Sequence, residues 1–228
     1  MPDSATRPIA KLFGIAVGAL AASGPSVAAA QGPAAAPSDG GPRYWAVTGV
    51  SSVLNLRALP STDGAILERL APNTVLDNLG CDTVDGRIWC DVQPIDGGAR
   101  GYVAADFLAH AVGPDGRRAT GADTSAERAG RGEFDARGVL SCSSAAGAPM
   151  VDCAFGVARS GGGDATVVVN QPDGPPRALF FRFGRAIGAD LSEADGDKAI
   201  SASKGADSYR IRVGDERYNV PEAVVFGG

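Results

Sequence analysis

The chain has 228 residues, with Lys+Arg 21, Asp+Glu 26, one histidine and four cysteines, for a formal charge of −5. An acidic chain without a Lys/Arg block lacks the clustered positive charge that phosphate contacts need, which argues against nucleic acid as a partner. The single histidine, His110, would have to carry any His-based metal site or Ser/His/Asp triad by itself. Gly 32 and Pro 15 make about a fifth of the chain, against a usual share of about an eighth, which predicts short strands between many turns.

The N-terminus reads Arg7 and Lys11, then the apolar run from Leu12 to Ala22, then small residues from Ser23 to Ala30. Charged, apolar and small-residue regions in that order predict a secretory signal peptide over residues 1–30. The apolar run falls short of the roughly 20 residues a spanning helix requires, so no membrane span is expected after cleavage. Removing residues 1–30 takes away Asp3, Arg7 and Lys11 and leaves −5 − 1 = −6 on the remainder. A periplasmic or secreted protein is the expectation.

Residues 31–42 are rich in Pro, Ala, Gly and Ser without apolar periodicity, and read as a disordered leader. From Tyr44 to about Ala111, short apolar runs alternate with turn signals. Strands are expected at Tyr44 to Val47, Leu54 to Arg57, Ile66 to Leu70, Thr74 to Gly80, Arg87 to Val92 and Arg100 to Val103. Tyr44 and Trp45 are strand neighbours and point to opposite faces, so one of them is expected to be exposed. Residues 113–132 are polar, Gly-rich and of mixed charge, and read as a linker.

A second all-β pattern covers residues 133–228. Strands are expected at Gly138 to Ser143, Val151 to Arg159, Ala165 to Asn170, Arg177 to Phe183, Ala199 to Ser203, Ser208 to Val213, Arg217 to Val220 and Ala223 to Phe226. Period two is plain in Tyr209, Ile211 and Val213 against Arg210 and Arg212, which marks a half-buried sheet. No helix longer than a turn is expected anywhere. The fold class is therefore all-β, a small barrel followed by a second antiparallel β domain.

Cys81, Cys90, Cys142 and Cys153 all lie beyond the signal peptide, and an even number in an oxidising compartment points to two disulfides. Four cysteines allow three pairings, of which the neighbouring pairs Cys81 with Cys90 and Cys142 with Cys153 are favoured. If Asp85-Gly86 is a two-residue hairpin turn, Cys81 faces Cys90 in the non-hydrogen-bonded class, where Cα atoms approach most closely. The same count around Gly147-Ala148 opposes Cys142 and Cys153 in the wider class, so a longer, irregular loop is expected there. A zinc site is disfavoured, because the C-x2-4-C spacing is missing.

The segment Tyr44 to Leu108 resembles the bacterial SH3 (SH3b) domain. The likeness rests on Leu54-Asn55-Leu56-Arg57 followed by Pro60-Ser61, on Ile66 and Leu70, on Trp89-Cys90-Asp91-Val92, and on Gly101-Tyr102-Val103 followed by Phe107-Leu108. It departs from the usual pattern at Cys81, Cys90 and Leu59. The resemblance implies a small β-barrel over residues 43–112 that binds ligand and does no catalysis. By position, its ligand-binding candidates are Trp89 and Tyr102, with Asn55, Arg57 and Asp106 as polar neighbours. Peptidoglycan or an envelope protein would be the partner. Residues 133–228 resemble no characterised family.

Catalytic readings find little support in the residues. A Cys/His peptidase needs a free thiol beside His110, and a metal-dependent amidase needs several histidines, which residues 133–228 lack. Asp215/Glu216 and Asp190/Glu193 are expected to be solvated turn carboxylates. The stretch Asp190 to Asp197 misses the first ligand of a calcium loop. Arg182, Arg210 and Arg212 would hold an anionic polymer if they share a sheet face. No cofactor, metal or catalytic residue is expected. The function expected is exported, non-enzymatic binding, with inhibition or regulation of a cell-wall hydrolase as the alternative.

Overall fold

The computed structural model describes residues 35–191 and 198–227. The expected signal peptide, the first residues of the leader and most of the Asp190 to Asp197 stretch lie outside them. The described chain folds into two antiparallel sheets. The first holds β1 (Tyr44–Val47), β2 (Leu54–Arg57), β3 (Ile66–Leu70), β4 (Val75–Val84), β5 (Arg87–Pro94), β6 (Gly101–Ala104) and β7 (Leu108–His110), in the order β3-β2-β6-β5-β4-β1-β7. Its core gathers Trp45, Val47, Leu56, Leu76, Val92 and Val103 around Cys90.

The β4–β5 hairpin forms as its turn residues dictate. Asp85 and Gly86 both take positive φ, 49° and 77°, the pairing that matches strand twist in a two-residue turn. Register then runs Val84↔Arg87, Thr83↔Ile88, Asp82↔Trp89 and Cys81↔Cys90, and the last pair is bridged at a Cα separation of 3.9 Å. Strand β6 needs Gly101 for a different reason. A Cβ there would sit 2.5 Å from the Arg57 carbonyl oxygen, so only glycine lets β6 approach β2.

The second sheet is built from β8 (Ala136–Ser143), β9 (Val151–Gly161), β10 (Asp164–Val169), β11 (Arg177–Arg182), β12 (Arg185–Ala189), β13 (Ile200–Lys204), β14 (Ser208–Val213) and β15 (Glu216–Pro221). Consecutive strands pair from β8 to β12 and from β13 to β15, and β15 returns to β8. The sheet curls until its edge strands β12 and β13 come alongside each other, giving a nearly closed up-and-down barrel. Alternate residues such as Val157, Val167, Leu179, Phe181, Ile211 and Val220 fill its interior.

Several expectations are corrected. Ala223 to Phe226 is not a strand but lies in the helix α2 (Glu222–Phe226), which puts Val224 and Val225 into the core of the second sheet. Burial at the barrel end overrides the strand preference of the two valines, and Pro221 supplies the fixed φ at the helix start. Strand β12 was hidden by its small residues, including Gly188. The Cys142–Cys153 bridge and the long loop between β8 and β9 are as expected, but Cys142 lies opposite Val151 and Cys153 opposite Leu140, so the bridge runs diagonally rather than between directly opposed residues. Tyr44 and Trp45 are both buried, at 2% and 8% exposure.

Residues 113–132, expected as a linker, are built into the structure. They carry the helix α1 (Ser125–Gly130), which packs on β9 and β10 with Ser125 and Ala129 buried. Part of the expected leader is also ordered: Pro37–Asp39 forms a 3-10 turn, Pro42 bridges to Thr120, and Asn78 Nδ2 donates to the carbonyls of Ala35 and Pro42. Composition gave no sign of this because the partners lie elsewhere in the chain: Asn78 takes the leader's carbonyls, and Thr166 meets Ser125.

One carboxylate ties the two sheets together. Asp164, at 1% exposure, accepts from Arg43 Nη1 at 2.5 Å, from Tyr44 Oη at 2.8 Å and from the Phe183 N–H at 2.7 Å. Burial pushes its carboxyl up, against these donors. Phe183 holds the left-handed φ of 46° that its place in the β11–β12 turn demands, and its ring meets Tyr44 edge-on at 5.1 Å. Arg182 pairs with Asp77 and Arg185 with Asp96, adding two ion pairs across the same contact. Arg182 faces outward, as Arg210 and Arg212 do, but its guanidinium is taken up by Asp77 at the first sheet.

Candidate functional site

The outer face of the first sheet carries a groove of about 290 Å³. Cys90, Val92 and Pro94 point inward along β5, so Arg87, Trp89 and Asp91 point outward. Trp89 lies opposite Ala104, and both line the groove with Asn55 and Arg57 from β2 and Phe107 from the turn after β6. Trp89 is only 6% exposed yet lies outside the core cluster, with the Arg87 side chain over its ring. The Arg87 guanidinium stands 5.4 Å from the Trp89 ring centre and 5.9 Å from that of Phe107, a cation–π arrangement over two rings.

The five sequence candidates divide accordingly. Trp89, Asn55 and Arg57 line the groove, and Arg57 Nη1 is fixed by donating to the Gly64 carbonyl at 2.8 Å. Asp106 is exposed and reaches the groove through Arg87, whose Nε and Nη2 it accepts at 3.1 and 2.9 Å. Tyr102 lies outside the lining, half-buried on the same sheet face, opposite Arg57 and Asp91. Arg87 and Phe107 were missed. Arg87 stood two residues before Trp89 on one strand, and that period of two was the available signal.

A larger polar cavity, of about 660 Å³, lies beside the Gly161 to Gly163 turn of the second sheet. Its carboxylates already serve the fold. Asp115 accepts from the backbone N–H of Gly162 and Arg117, Asp135 from Arg128 and the Arg159 N–H, and Asp164 from the inter-sheet donors. Those donors compete with any ligand there, whereas the smaller groove brings two aromatic rings, Trp89 and Phe107, beside two guanidiniums.

No catalytic arrangement assembles among the described residues. All four cysteines are in disulfides, and His110 Nε2 lies 3.0 Å from the Ala119 carbonyl with its ring edge-on to Trp45. No group of three or more His, Cys, Asp or Glu positioned to hold a metal occurs among the described residues. Glu216 is not a solvated turn carboxylate as expected. It is 6% exposed and accepts from Arg177, Lys198, Gln171 and Tyr218. Burial opposes its charge, but those donors win and hold its carboxyl at about 2.

Residues 52–109 match the family model for the bacterial SH3 domain, which covers about a quarter of the chain. No curated protein and no solved structure matches the sequence. Among the described residues, no helix is long and apolar enough to cross a membrane. The match runs from before β2 into β7 and includes Asn55, Arg57, Arg87, Trp89, Ala104 and Phe107 of the groove, so this part of the first sheet carries the pattern of a bacterial SH3 domain, a binding module.

Proposed function

We propose that the protein is an exported, non-enzymatic binding protein whose SH3 groove takes the peptide part of peptidoglycan. Bacterial SH3 domains bind cell-wall components, and two disulfides suit an oxidising, extracytoplasmic compartment. The observation that carries the reading is the Arg87 guanidinium laid across Trp89 and Phe107 within reach of Arg57 and Asn55. Two aromatic faces offer apolar contact to a peptide, and two guanidiniums offer bidentate partners to its carboxylates.

Arg87 is held loosely enough to change partners. Its pair with Asp106 is open to solvent, with side-chain exposures of 38% and 67%, and pairs of that kind stabilise by at most about 1 kcal/mol. A ligand carboxylate can therefore displace Asp106 at small cost; drawing Arg87 off Trp89 costs its two ring contacts as well, which the ligand's own contact with the rings replaces. Co-sedimentation of the full chain with purified sacculi tests the proposal. Arg87→Ala and Phe107→Ala, at half-buried positions, are each expected to weaken binding about tenfold, the loss of one interfacial anchor. Wild-type protein that stays in solution, or variants that sediment as well as wild type, would overturn it.

A further inference from the structure

A second surface concentrates positive charge on this acidic chain. Along β14, Tyr209, Ile211 and Val213 are buried while Arg210 and Arg212 are exposed on the outer face. Residues directly opposite one another in an antiparallel pair share a face. Arg212 lies opposite Arg217 and Arg210 opposite Asn219. On one side Ser201 and Ser203 of β13 continue these rows, and on the other Ser143 and Ser141 of β8 do so. Strands about 4.8 Å apart bring the three guanidiniums within the span of a few sugar or residue units.

The arrangement is costly unless an anion answers it. Like charges directly opposed across strands destabilise a sheet. Arg210 and Arg212 form no ion pair with any described residue, and Arg217 donates only to neutral oxygens, those of Ser143 and Ala148, while its Nε is buried without an acceptor. The three line a concavity of about 400 Å³ with Ser141, Asn219 and Met150, and no Asp or Glu lines it. The nearest acid in register, Asp152, sits opposite Ser141 on β9, three strands from Arg210. At physiological salt, charges beyond about 8 Å are screened, so the patch acts as a positive site although the whole chain is negative.

The surroundings distinguish the kind of anion. Protein interfaces centre on buried aromatic or aliphatic anchors, and Met150 is the sole large apolar side chain in this concavity apart from Ile211 and Tyr218, which point into the core. Serine hydroxyls and an asparagine amide instead suit the hydroxyls of a sugar. We propose that this face binds an anionic polysaccharide, with Arg210, Arg212 and Arg217 pairing with its acidic groups and Ser141, Ser203 and Asn219 meeting its hydroxyls. The site is separate from the SH3 groove, so it stands or falls independently of peptide binding there.

Affinity electrophoresis of the full chain through gels containing polygalacturonate, dextran sulfate, neutral dextran or poly-glutamate tests this. Wild type is expected to be retarded by at least one acidic polysaccharide and not by dextran, with retardation falling as salt rises. R210S/R212S, which changes two exposed side chains, should lose binding by about tenfold or more, as two charge-assisted hydrogen-bonding groups are removed. R210K/R212K, which keeps the charge, should recover part of it. An unchanged circular dichroism melt of each variant shows that the fold is intact. Retardation by neither acidic polysaccharide, equal retardation of wild type and R210S/R212S, or stronger retardation by poly-glutamate than by both polysaccharides would overturn the proposal, the last in favour of a protein partner.

Discussion

Asp164→Asn is expected to loosen the joint between the two sheets more than any surface change could. The wild-type carboxylate faces three donors, Arg43 Nη1, Tyr44 Oη and the Phe183 N–H, and its side chain is 0% exposed. Asparagine is almost the same size, but its amide brings two N–H donors into a site that already has only donors, and it removes the charge that answers Arg43. The Arg43 side chain is 8% exposed and keeps the carbonyls of Gly121 and Ala122 as acceptors, so it stays buried with its charge uncompensated. Breaking a buried pair in this way costs about 3–5 kcal/mol. Both tryptophans, Trp45 and Trp89, belong to the first sheet, so urea unfolding followed by tryptophan fluorescence reports that sheet, while far-ultraviolet circular dichroism reports both. Wild type is expected to unfold with coincident curves, and Asp164→Asn with a lower fluorescence midpoint that separates from the dichroism curve. A stability change below about 1 kcal/mol with curves still coincident would refute the reasoning.

Glu216 gives a pH dependence of definite sign. Its carboxyl is held at about 2 in the folded chain against 4.5 when free, so its contribution of about 3 kcal/mol is complete above pH 4.5 and is lost as pH falls toward 2. Urea midpoints measured from pH 7 to pH 2 should therefore fall more steeply for wild type than for Glu216→Gln, and parallel slopes would contradict this. Gly101→Ala should cost about 2 kcal/mol, since its Cβ would lie 2.5 Å from the Arg57 oxygen and 3.1 Å from Leu67 Cδ1. A fluorescence melt at the wild-type midpoint would show that β6 has room to move.

Where local chemistry decided the conformation, the sequence was legible. Asp85-Gly86 tolerates positive φ at both positions and has no competing partner, so one turn fixed eight residues of register and the Cys81–Cys90 bridge. Strands with strict alternation, such as Ser208–Val213, were legible for the same reason. Position 183 was not, because a phenylalanine with φ of 46° carries no local signature and is held there by Asp164 and Tyr44 from distant parts of the chain. Residues 113–132 failed likewise: Ser125 Oγ meets Thr166 Oγ1 and Arg128 reaches the Arg159 carbonyl, partners that composition cannot reveal. In the groove, the strand period placed Trp89 on the outer face, but its cover by Arg87 and the approach of Phe107 depend on how a 3-10 turn (Ala105–Phe107) returns to β5.

The central claim is that a wall peptide enters the groove at Trp89. Replacing Trp45 with phenylalanine leaves Trp89 as the sole tryptophan, and titration of that Trp45→Phe protein with soluble muropeptides reads the site directly. The account predicts a saturable change in Trp89 emission as ligand displaces Arg87 from the ring, moved to about tenfold higher ligand concentration when Arg87→Ala is added. Emission that stays constant over the full titration, or a change at the same ligand concentration in the Arg87→Ala background, would contradict it.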